Sequence, residues 1–112
     1  MKHLKTFESF INEASLPFDI EKELRLSGVS FEFDDERTED EDEGRFLELE
    51  VYSAEDRKTG SFWVIKAAAD GGQYYLEIQK DEKVIFANKY PRGQKQRFDQ
   101  DCMNTLGFLP EL

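Results

Sequence analysis

The sequence predicts an α+β fold: an N-terminal helix, an antiparallel meander of about five strands and a short C-terminal helix. Three observations carry this. Apolar residues alternate with polar ones in short runs from Val29 to Ala87. Turn signals such as Thr59-Gly60, Asp70-Gly71-Gly72 and Asp81-Glu82 separate those runs. At both ends of the chain the apolar spacing changes to that of a helix. Connections this short favour antiparallel neighbours, and a meander of this size either stays open or curls into a small barrel.

Each element has its own signature. Leu4, Phe7, Ile11 and Ala14 recur at helical spacing, and Phe10 widens the stripe. Pro17 disfavours helix at Leu16, so this helix ends near Ala14. Asp19 can N-cap a second short helix that Gly28 closes, with Ile20 and Leu24 toward the core; the same stretch can also run extended. Val29, Phe31 and Phe33 alternate with Ser30 and Glu32 as a first strand. Arg45 to Tyr52 reads as the second, with Leu47, Leu49 and Val51 on one face and Phe46, Glu48, Glu50 and Tyr52 on the other. Ser53 to Gly60 reads as a polar loop. Phe62 to Ile65 is a continuous apolar run, as a central strand needs, and Lys66 to Ala69 extends it. Tyr74 to Gln79 and Val84 to Ala87 are the last two strands. Pro91 and Gly93 end the sheet. Phe98, Cys102 and Leu106 then share one face of a helix over Gln94 to Leu106, with Gly107 as a left-handed cap and Phe108 folded back on Met103.

Composition bounds the function. The 112 residues suffice for one domain. Ten Phe, four Tyr and one Trp supply a core despite 36% charged residues. The net charge is −10, which opposes direct nucleic-acid binding and attraction to anionic membranes. It suits a basic protein partner or mimicry of a polyanion. One cysteine, Cys102, excludes an internal disulfide and fits a small core residue. No apolar run reaches membrane-spanning or secretory-signal length, so a secreted location is not expected.

No constellation for catalysis stands out. His3 is the only histidine and lies far in sequence from Cys102. No phosphate-cradling glycine pattern is present, no cofactor is expected, and the chain reads as a binding protein, not an enzyme. Residues 34–43 hold eight acids and one base, −7 of the −10. Glu39, Glu41, Glu43 and Glu50 fall at calcium-loop spacing, but glutamate is too long for the early positions of such a loop, and the flanks read as strands. A solvated loop is the simpler reading of this block. Lys89, Arg92, Lys95 and Arg97 form a local basic cluster whose simplest role is to balance it.

One stretch carries more. Lys5-Thr-Phe-Glu-Ser-Phe-Ile-Asn-Glu-Ala14 resembles the capsid-targeting leader of internal head proteins in T-even-type phages. Met1 to Leu4 make its front end longer than the family pattern. The resemblance covers residues 1–14 and nothing downstream. It implies that Phe7, Phe10 and Ile11 contact the prohead scaffold. It implies cleavage after Glu13, with Ile11 and Glu13 before the cut and Ala14 as the new N-terminus. It implies a virion interior, or the cytoplasm of the infected bacterium, as the location. Residues 1–13 are then the leader, and residues 14–112 a single acidic α+β domain with the acidic loop 34–43. The acidic surface suggests a basic host protein as a target for inhibition. The alternative is a non-virion interaction module whose N-terminal helix is permanent structure.

Overall fold

A computed structural model describes residues 19–34 and 48–112. It contains α1 (Ile20–Ser27), β1 (Ser30–Phe33), β2 (Glu48–Glu55), β3 (Phe62–Asp70), β4 (Gln73–Lys80), β5 (Lys83–Tyr90), α2 (Lys95–Leu106) and a final 3-10 turn (Leu109–Glu111). The predicted leader helix and all of the acidic block except Asp34 lie outside the described residues.

The fold is α+β, and the strands form one antiparallel sheet in the order β1-β2-β3-β4-β5. The edges β1 and β5 do not pair, so the sheet is open and not a barrel. Local chemistry explains most of the boundaries. The Asp19 carboxylate accepts from the Lys22 N–H at 3.1 Å, satisfying an orphan donor at the start of α1. Gly28 ends α1 in the left-handed region. Gly71 and Gly72 join β3 to β4 with φ of 59° and 94°, as a type I′ hairpin requires. The next hairpin has the same sign of φ at Asp81 and Glu82, where side chains make it costly.

Three boundaries differ from the sequence reading. Strand β2 continues through Ser53 and Ala54 to Glu55, which had read as loop. These small residues pair with Val64, Trp63 and Phe62, so the neighbouring strand supplies the order that they lack by themselves. Strand β5 is longer than Val84–Ala87 and carries an irregularity where Gln79 pairs Val84 but Ile78 pairs Phe86, leaving Ile85 as the extra residue. Gly107 is right-handed, at φ −76°, and the N–H of Phe108 bonds Thr105 O, so the predicted left-handed ending is absent. Phe108 is 53% exposed.

Both faces of the sheet are apolar. On the first face lie Tyr52, Ala54, Trp63, Ile65, Ala67, Leu76, Ile78 and Tyr90, joined by Ile20 and Leu24 of α1 and Phe98, Cys102 and Leu106 of α2. This is the main core. Helix α1 packs on α2 and β1, and α2 on β4 and β5. Phe98 anchors the contact by stacking on Tyr74 at 4.9 Å and meeting Tyr90 edge-on at 5.5 Å. On the second face Leu49, Val51, Val64 and Ala68 form a smaller cluster with Tyr75 beside it.

Candidate functional site

The second face holds the more distinctive chemistry. Strand register sets it out in rows. Leu49, Ala68, Tyr75 and Lys89 stand side by side across four strands. The next row is Val51, Lys66, Glu77 and Ala87. The third is Ser53, Val64, Gln79 and Val84. The β2–β3 half of this face is therefore mostly apolar, interrupted by Ser53 and Lys66, and β4 contributes the polar Glu77 and Gln79 beside Tyr75.

The polar half centres on Glu77. Its carboxylate accepts from the Tyr75 hydroxyl at 2.5 Å and from the Gln79 amide at 2.7 Å. Partial burial pushes the carboxyl up, but the two hydrogen bonds and the charge of Lys66 outweigh this and hold it below the usual carboxylate range. A groove of about 720 Å³ runs along this region, lined by Leu49, Lys66, Tyr75, Glu77, Lys89 and Tyr90 among others. Among the described lining residues two cations, Lys66 and Lys89, balance two carboxylates, Asp70 and Glu77, so they set up no single-sign field for a charged ligand.

The first face has two buried phenols. Tyr52 donates to Glu50 at 3.0 Å. Its pKa is raised by burial first, then by Glu50, with Glu21 and Asp19 adding to this. Tyr90 donates to Asp101 at 2.5 Å, tying β5 to α2, and burial and that hydrogen bond raise its pKa too. Cys102 is fully buried among apolar neighbours, and burial pushes its thiol well above the ordinary value. It is a core residue and not a poised nucleophile.

The sequence-derived sites separate clearly. Phe7, Phe10, Ile11, Glu13 and Ala14 lie outside the described residues, as do Glu39, Glu41 and Glu43. Glu50 is placed on β2, engaged by Tyr52. Among the described residues no group of three or more histidine, cysteine or carboxylate side chains is arranged for a metal. None of the described helices is long and apolar enough to cross a membrane.

The basic cluster is spread over three uses. Lys95 pairs with Asp99 at 2.7 Å within α2. Arg92 lies along the Gly71-Gly72 turn. Lys89 lines the groove. The Glu77 network was not visible in the sequence. Its signal is the alternation Tyr75-x-Glu77-x-Gln79, which a half-buried strand already explains. Searches against known protein families, curated proteins and solved structures found no match to this chain.

Proposed function

We propose that this chain is a phage-encoded internal head protein, in which residues 1–13 are a targeting leader removed by cleavage after Glu13. The supporting observation is the run from Lys5 to Ala14, with Ile11-x-Glu13 before the cut, standing just ahead of the described fold. In this reading Phe7, Phe10 and Ile11 engage the prohead scaffold. The mature domain then acts by binding a basic host protein through its acidic surface.

The test is the intact mass after co-expression with a T-even-type prohead protease. Loss of residues 1–13 and a new N-terminus at Ala14 is the expected result. An uncut chain, with the protease active on a known leader, refutes the processing. For the host target, a pull-down from bacterial lysate that returns no basic or nucleic-acid-handling protein counts against inhibition.

The second reading is a non-virion interaction module whose N-terminal helix is permanent structure. One observation favours it. Val51 and Ala68 are 0% exposed on the sheet face away from α1 and α2. An apolar segment held there for the life of the protein would account for that burial.

A further inference from the structure

One edge of the sheet is open, and its charge is opposite to that of the whole chain. Strand β5 borders β4 on one side only. Among the described residues no backbone hydrogen bond from another element reaches it, so the N–H and C=O groups along its outer side have no strand to bond. Its side chains are open too: Val84 is 58% and Ile85 43% exposed. Such a row is a template for a further strand. Residues 80–97 hold six cations and two acids, in a chain of net charge −10. Lys95 pairs with Asp99 within α2, but among the described residues no carboxylate pairs with Lys83, Lys89 or Arg92.

We infer that the outer edge of β5 is a strand-addition site for an extended acidic segment of another protein. Three arguments select that occupant. The first is geometry. Ile85 is the extra residue in the β4–β5 pairing, whereas Phe86 to Tyr90 pair without interruption and present a regular edge. A strand added there lies about 4.8 Å away. Ala87 and Lys89 stand on the second face of the sheet, in the rows of Glu77 and Tyr75. A carboxylate opposite or diagonal to Lys89 therefore meets its ammonium as a cross-strand pair, and Arg92 follows just past the strand. The second argument is what the edge refuses. Lysines and a bulge oppose pairing with an identical edge, because two copies of β5 would bring Lys83 and Lys89 of each to one seam. The same lysines favour an acidic strand. The third concerns nucleic acid, the other polyanion. It has no N–H and C=O row to complete a ladder, and it meets a protein of net charge −10. A short acidic segment bonds backbone to backbone, and the distant acids are screened from it beyond about 8–10 Å. Main-chain bonds then supply the affinity and the cross-strand charges the preference. The site depends neither on the leader nor on the acidic run.

The test titrates the full chain with a capped peptide of the eight-residue length of β5, alternating threonine with glutamate, and follows the amide NMR shifts. Saturable shifts centred on Phe86 to Tyr90 are expected, with binding several-fold weaker for Lys89→Glu. Lys89 is exposed, so the thermal melt of that variant should match the wild type and show the loss to be one of binding. The same peptide N-methylated at every second residue keeps its charges but loses ladder donors, and it should not bind. If it binds as well as the parent, charge alone is the attraction and strand addition is refuted. Shifts centred instead on Val64 and Ala68 refute the edge as the site. An equal response at β5 to a short single strand of thymidylate overturns the proposal in favour of nucleic acid. A dimer of the free protein that protects the β5 amides from hydrogen exchange overturns it in favour of a second copy. None of these measurements involves the prohead protease, so their outcome is separate from that of the processing test.

Discussion

Val51→Ala measures directly whether the second face is a core. The substitution deletes two methyl-sized groups from a side chain with no solvent exposure. Transfer alone costs about 1.6 kcal/mol at ~0.8 kcal/mol per group. A cavity that collapses only in part adds a fraction of a kcal/mol more. The expected loss is therefore about 2 kcal/mol, against roughly 0.5 kcal/mol or less for a solvent-facing strand position. In urea, with a slope of about 1–1.5 kcal/mol per molar for a chain of this size, the midpoint falls by roughly 1.5 M. Ile65→Val on the opposite face, also fully buried, is the control and should cost about 0.5–1.5 kcal/mol. A Val51→Ala loss under about 0.5 kcal/mol in the wild type would refute burial of the face.

Other perturbations read different parts of the fold. Glu82 sits at φ 73°, so Glu82→Gly should raise stability by up to about 1 kcal/mol in thermal melts. Gly72→Ala should lower it by about 1 kcal/mol or more, since φ is 94° and a Cβ would lie 3.3 Å from Arg92 Cγ. Tyr52, Tyr90 and Cys102 all have folded pKa values above their ordinary values of 10.0, 10.0 and 9.0. Their neutral forms favour the fold, so that stability is intact below about pH 9 and is lost as pH rises further, which a pH series of urea melts would detect. Glu77 has the opposite sign: its lowered pKa contributes stability above the ordinary carboxylate value that disappears as pH falls through the folded one, and Glu77→Gln should flatten the acid limb. Cys102 should react with a thiol reagent only as fast as the domain opens, giving labelling that tracks denaturant.

Much of the body was legible because its signals are local. Asp19 and Gly28 bracket α1 through a cap and a left-handed residue. Gly71-Gly72 specifies a two-residue hairpin, and that short connection fixes β3 against β4. Phe98, Cys102 and Leu106 announce the buried side of α2 by spacing alone. The errors fall where a neighbour decides. Ser53 and Ala54 have little strand preference, and only their pairing with Val64 and Trp63 makes them strand. The extra residue at Ile85 depends on the register across β4 and β5, which no single strand encodes. The two-faced pattern of β2 was readable, but not which face α1 and α2 would take. Leu49 and Val51 look like the better core, yet the helices lie on the side of Tyr52 and Ala54. Trp63 and Ile65 on β3 and Leu76 and Ile78 on β4 outweigh them, because these bring the larger continuous apolar area.

That choice of face bears on the proposed basic partner. With α1 and α2 on one side, the second face keeps Leu49, Val51, Val64 and Ala68 together on the strand pair next to Asp34, where the acidic run departs. If that run recruits the proposed basic partner, the attraction is between exposed charges and is screened beyond about 8–10 Å at physiological salt. Binding should then weaken steeply as salt rises, and replacing acids of the run by amides should weaken it at low salt far more than at high salt. Binding that is indifferent to both changes would separate the acidic run from recognition.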